Sequence, residues 1–189
     1  MTSTGTVKVI GDISSETIRN LNAALKTLYA NNSSVRVTLD LSRTTGLTEL
    51  PSKAFADTNL DNPGCLALKG IVLPLGLLKI SDFAFYRCSN LTEMITIPPT
   101  VTEICDSTFC YSGLSGTLNI PSSVRKLGYM TFSSTPNSLT LQYEDTTSTW
   151  TRYDFNGNVV TDGTAFHGTT PTKDVISQGS YRLLYIQKD

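Results

Sequence analysis

One twelve-residue pattern recurs four times along the chain, and this recurrence restricts the possible folds more than any other feature. The copies are GLTELPSKAFAD from Gly46, GLLKISDFAFYR from Gly76, TVTEICDSTFCY from Thr100 and SVRKLGYMTFSS from Ser123. Each has an apolar residue, two polar ones, Leu or Ile, three variable residues, a small residue and then Phe. Leu50, Ile80, Ile104 and Leu127 hold the second apolar site, and Ala54-Phe55, Ala84-Phe85, Thr108-Phe109 and Thr131-Phe132 hold the small-aromatic pair. The phenylalanines are 30, 24 and 23 residues apart. A unit this short cannot bury its own apolar side chains, so stacked units must share one continuous core, as the coils of a solenoid do.

Within each unit the residue types fit that geometry. Pro74, Pro98 and Pro121 stand six residues before the last three Ile/Leu sites and close the short runs GIVLP, ITIP and LNIP. In Ile71-Val72-Leu73, Ile95-Thr96-Ile97 and Leu118-Asn119-Ile120, alternation with period two turns the outer pair into the core and the middle residue outward. Proline lacks an N–H for a neighbouring strand and so ends each strand at the same point. Leu39-Asp40-Leu41 and Leu139-Thr140-Leu141 read as the corresponding runs at the two ends. The Phe positions are predicted to stack as an internal ladder. Between Phe55 and Phe85 lie seven residues more than a 23-residue unit needs, and the surplus is placed at residues 56–64, whose Asn-Pro-Gly signals a turn.

A stack of coils exposes its core at both ends, so atypical flanking segments are expected as caps. Val7-Lys8-Val9-Ile10 reads as a strand. Ser14-Ser15-Glu16 then opens a helix with a capping hydroxyl and an acidic first turn. Ile18, Leu21, Leu25 and Leu28 form one apolar stripe, and Asn31-Asn32 is the stop. At the other end Asn156-Gly157 predicts a two-residue hairpin turn between residues 152–155 and 158–161, with a further strand at 180–186. The expected fold class is therefore α/β leaning to mainly β. The division is an N-terminal strand-plus-helix cap at 1–36, repeats at 37–141 and a β cap at 142–189.

Charge and composition exclude several functions. Lys+Arg number 15 against Asp+Glu 16, a net charge of −1, so there is no basic footprint for nucleic acid or an anionic membrane surface. The longest apolar stretch, residues 71–78, is interrupted by Pro74 and is far below the roughly 18 residues that span a bilayer. The first residues lack a charged n-region and apolar h-region, so the chain reads as cytoplasmic or as the mature part of an exported protein. Cys65, Cys88, Cys105 and Cys110 include no Cys-x-x-Cys pair and have one histidine between them, which argues against zinc. Their apolar or small neighbours favour buried thiols over two disulfides.

No catalytic constellation emerges, and no cofactor is expected. Asp154, Asn156, Asn158 and Asp162 have the oxygen density of a calcium loop but lack its central glycine and terminal Glu, so a hairpin tip explains them better. His167 has no G-x-S-x-G partner motif, and phosphate-binding glycine patterns are absent. The outward strand positions Asp40, Val72, Thr96, Asn119 and Thr140 remain as a candidate ligand-binding row. Tyr86, Tyr111 and Tyr129, near the Phe ladder, would add aromatic area at a loop edge.

The units at 91–113 and 114–132 resemble the BspA-type leucine-rich repeat, with its I-P, V-x-x-I and A-F signature followed by Cys and Leu. LDLSRTTGLTEL from Leu39 and AFYRCSNL from Ala84 are similar to it as well. The resemblance covers residue 37 to about 141. It implies a non-catalytic, cell-surface or extracellular adhesion module that binds a host or bacterial surface protein, its leader and anchor lying outside this chain. The alternatives are a structural spacer of the envelope and a targeting domain of a larger protein.

Overall fold

Short alternating runs separated by tight turns dictate a strand-rich chain. A computed structural model describes residues 4–161, 165–177 and 185–188. In order the elements are β1 (Thr4–Asp12), α1 (Ser15–Asn31), β2 (Arg36–Thr45), β3 (Glu49–Leu50), β4 (Leu68–Val72), β5 (Lys79–Ile80), β6 (Glu103–Ile104), β7 (Gly116–Ile120), β8 (Lys126–Leu127), β9 (Leu139–Tyr143), β10 (Trp150–Tyr153), β11 (His167–Gly168), α2 (Lys173–Ser177) and β12 (Tyr185–Lys188). The longer strands form two parallel groups, β1-β2-β4 and β7-β9. The two-residue strands pair in parallel as β3-β5-β6-β8, and β12, β10 and β11 extend that sheet in antiparallel fashion.

The Phe ladder forms as the spacing predicts. Phe55, Phe85, Phe109 and Phe132 are buried, with ring centroids 5.4, 5.2 and 5.6 Å apart and planes within 10° of parallel. Leu50, Ile80, Ile104 and Leu127 stand beside one another in register and are wholly buried. One step before them Glu49, Lys79, Glu103 and Lys126 alternate in charge across the same strands. A one-repeat slip would set like charges side by side, so this row reinforces the order of the repeats.

Hydrogen bonds between repeats explain the turn chemistry. At the Phe turn, the N–H groups of Phe55, Phe85 and Phe109 donate to Ala84, Thr108 and Thr131 of the next repeat at 2.7–2.8 Å. The N–H groups of Lys53, Phe83 and Ser107 likewise reach forward to Asp82, Asp106 and Tyr129. Beside the short strands the direction reverses: Leu78, Thr102 and Arg125 donate back to Thr48, Leu78 and Thr102. Lys53, Phe83, Ser107 and Met130, the residue before each small-aromatic pair, all adopt positive φ of 52–59° without being glycine. A left-handed residue costs roughly 1–2 kcal/mol, and the bonds on either side hold it there.

The insertion falls where the Phe spacing places it. Cys65 N–H donates to Phe55 O, so the chain leaves the repeat at residue 56 and rejoins it at Cys65. All four cysteines are free thiols, three of them buried, in line with the sequence reading. Burial pushes Cys65 and Cys110 up to about 11 and Cys105 to about 12, and raises Cys88 further.

At the N-terminal end Ser14 caps α1 with a reciprocal Ser14–Thr17 capping box. Ile18 and Leu25 are buried, whereas Leu28, predicted in the same stripe, is 47% exposed. The third buried residue of the helix is Asn22, which donates from Nδ2 to Ala56 O at 3.0 Å, and Lys26 pairs with Asp57.

Two expectations need correction. Residues 95–97 keep their alternation, Ile95 and Ile97 buried and Thr96 exposed, but form no strand. Thr92 and Glu93 N–H both turn onto Lys69 O, and the Glu93 side chain lies across Gly70, where any Cβ would collide with its carboxylate. The parallel sheet is therefore interrupted at this repeat. The hairpin at Asn156-Gly157 has a three-residue loop, because Asp154 N–H donates to Asn158 O and Tyr153 bridges Val159. Gly157 takes φ +81°, the left-handed position such a loop requires. Of the strand predicted at 180–186, residues 180–184 lie outside the described residues, while 185–188 form β12.

Candidate protein-binding face

Because side chains alternate along each strand, burial of Leu39, Ile71, Leu118 and Ile120 turns the residues between them to the surface. Asp40 stands directly beside Val72, which is 45% exposed, and Thr96 and Asn119 are exposed as well. Thr140 does not continue the row. It is exposed but pairs with Thr117, their hydroxyls 3.3 Å apart, and the neighbour of Asn119 is Gln142. The alternation at 139–141 predicts Leu139 and Leu141 as the core pair and Thr140 as the outward residue. Leu141-Gln142-Tyr143 is the equivalent run, as the 23-residue step from Asn119 already indicates. At the other end Lys8 on β1 faces Asp40 and extends the row by one residue.

The face is polar and largely self-satisfied. The Asp40 carboxyl lies below its ordinary value, chiefly through hydrogen bonds from the Ser42 side chain and N–H, the latter at 3.0 Å. Beside it Thr38 Oγ1 donates to Glu93 Oε2 at 2.7 Å and Lys69 Nζ sits 3.0 Å from Glu93 Oε1. The Thr38 hydroxyl, then Lys69, hold Glu93 below the usual carboxylate range. Thr38, Lys69 and Glu93 were missed because Glu93 reaches its partners only through the irregular chain before residue 95, which no period-two pattern signals. Together these bonds hold the polar groups of the face in fixed positions.

The other chemistry-bearing residues are engaged in structure. His167 lies on β11 and its Nδ1 is 2.9 Å from Thr151 Oγ1. Asp154 accepts N–H bonds from Asn156 and Asn158, each at 2.9 Å, and the Asn158 N–H and side chain lead in lowering its pKa. This is the hairpin-tip role; Asp162 lies outside the described residues. Among the described residues there is no cluster of three or more His, Cys, Asp or Glu side chains placed to hold a metal ion. No helix among them is long and apolar enough to cross a membrane.

Comparison with known families agrees with the stacking. The family model described as BspA type Leucine rich repeat region matches residues 43–162 in six copies. No curated protein matches the chain.

Proposed function

Since the chain belongs to the BspA-type leucine rich repeat family, whose repeats are generally protein-interaction modules and typically non-catalytic, we propose that it is a binding module acting at a cell surface or outside the cell. Its ligand is a surface protein of a host or of another bacterium. The repeats at 37–141 form a short solenoid, residues 1–36 close one end and residues 142–189 the other. The ligand lies across the outward row of Asp40, Val72, Thr96 and Asn119, which Gln142 continues, with Thr140 exposed two residues before Gln142 on the same strand.

The observation that carries this reading is the repeat itself: one outward position per repeat, half-buried at Asp40 and exposed at Val72, Thr96 and Asn119, above a shared core. Extended surfaces of this kind are what repeat stacks offer to partners. The engagement of His167 by Thr151 and the raised pKa values of all four thiols support a non-catalytic role.

The test is capture by the immobilised chain of extracellular-matrix and bacterial surface proteins, with an Asp40→Ala/Thr96→Ala/Asn119→Ala variant alongside. Saturable binding weakened at least about tenfold in the variant, at unchanged melting temperature, is the expected result. Absence of saturable binding, or equal binding by the variant, would overturn the assignment. Hydrolase activity lost in His167→Ala would overturn the non-catalytic role.

A further inference from the structure

The seven-residue insertion builds a second, chemically distinct surface beyond the Phe turn. Residues 56–64 leave the stack after Phe55 and are fixed by their own bonds: Lys53 Nζ donates to Thr58 O at 3.0 Å, Asp57 accepts from Asn59 N–H at 3.0 Å, and Gly64 N–H donates to Arg87 O at 3.0 Å. The loop thus forms one wall of a cleft of about 340 Å³ lined by Asp61, Pro63, Arg87, Ser89 and Tyr111. Its other walls come from the two following repeats. In repeat proteins an insertion into one unit commonly marks the binding side.

Arg87 lines this shallow, open cleft together with Tyr111. Its guanidinium lies 5.6 Å from the Tyr86 ring centroid and 5.5 Å from that of Tyr111, and Nη1 donates to the Asp61 carbonyl. Tyr86 and Tyr111 pack edge to face at 5.9 Å. The Arg87 backbone is held at φ 55° by its N–H bond to Cys110 O. The guanidinium is thus placed by two rings and a carbonyl, while among the described residues no carboxylate pairs with it; Asp61 reaches it through the backbone carbonyl. A guanidinium held in one geometry keeps most of its donor fork for a planar anion. Tyr111, 44% exposed, offers a flat ring next to it. Tyr and Arg at one spot are the residue types that dominate binding energy at protein interfaces.

We propose that this cleft binds an acidic, extended segment of a partner protein, one carboxylate seated on Arg87 and a neighbouring apolar side chain on the Tyr111 ring and Pro63. The site is separate from the strand row and does not depend on it. Asp61 is the one carboxylate in the lining, and it opposes the bound anion.

The experiment is a titration of the ¹⁵N-labelled full chain with a blocked peptide of alternating glutamate and phenylalanine, and with the glutamine counterpart of that peptide. The acidic peptide is expected to shift the Arg87 Nε–H resonance saturably, and the neutral one to bind about tenfold more weakly or worse. Arg87→Gln should weaken the acidic peptide by about tenfold, Tyr111→Ala should weaken both peptides, and Asp61→Asn should tighten the acidic one by about two- to threefold. Equal binding of the two peptides, or no shift at Arg87, overturns the proposal. Should Arg87→Gln fail to fold, the other two variants decide, since both leave the guanidinium in place: no tightening by Asp61→Asn or no loss in Tyr111→Ala overturns it equally.

Discussion

Phe109 has stacked rings on both faces and no exposure. Truncation there opens a cavity between two neighbours held apart by their own repeats, so Phe109→Ala is expected to cost about 3–5 kcal/mol, read from urea or thermal melts. Ser134 represents the opposite case. It is exposed and lies at φ 55°, a conformation its Cβ disfavours. Ser134→Gly should raise stability by about 0.5–1 kcal/mol, seen as a higher melting temperature, because relief of the left-handed strain outweighs the added freedom of the unfolded chain. The thiols give a third residue-level expectation. With every thiol pKa raised by burial, a thiol reagent at neutral pH should react slowly with the native chain, and rapidly with all four cysteines once the chain is denatured.

Among the elements, α1 depends on a few polar contacts with the insertion, since its apolar stripe buries only Ile18 and Leu25 fully. The Lys26 ammonium, hydrogen-bonded to Asp57, leads in lowering that carboxyl to about 2. Its contribution to stability is present above the ordinary Asp pKa near 4 and is lost as pH falls toward about 2. Asp106 acts in the other direction: burial, foremost, raises its pKa, so its protonation favours the folded state and its ionisation weakens it. Melts of wild type and Lys26→Met between pH 5 and 2 should therefore converge on acidification, the variant being less stable at pH 5 and showing the smaller loss. At this scale the sequence was legible wherever one residue type served one repeated purpose. The Phe ladder, the prolines after the runs, the Ser14 cap and the site of the insertion could all be read. The interruption before residue 95 could not, because a side chain from one repeat crossing a glycine of another leaves no local pattern. The register at Thr140 was misassigned because two overlapping alternations, at 139–141 and 141–143, both suit a strand; only the spacing from Asn119 separates them. The Arg87 cleft escaped for a related reason: its walls come from three repeats brought together by a loop that breaks the period.

In the whole molecule, one apolar cluster runs from Ile13 to Ile186 without a gap between the repeats and their flanking segments. Trp150, the sole tryptophan, is wholly buried against Tyr143, with Lys188 5.3 Å from its ring. Its fluorescence reports one end of the molecule, whereas circular dichroism reports all of it. Coincident unfolding curves by both probes are expected, and Phe55→Ala at the far end should shift the Trp150 transition as much as the dichroism. Separate transitions would mean that the repeats unfold independently of that end. The opposed directions of the hydrogen bonds described for the Phe turn and for the short strands also bear on growth. In a helix all peptide dipoles add along the axis and charge the two termini; here one column of amides points forward and the adjacent one backward, so their fields offset each other. Lengthening such a tower by further storeys would build up little voltage from end to end, leaving its height electrostatically unconstrained.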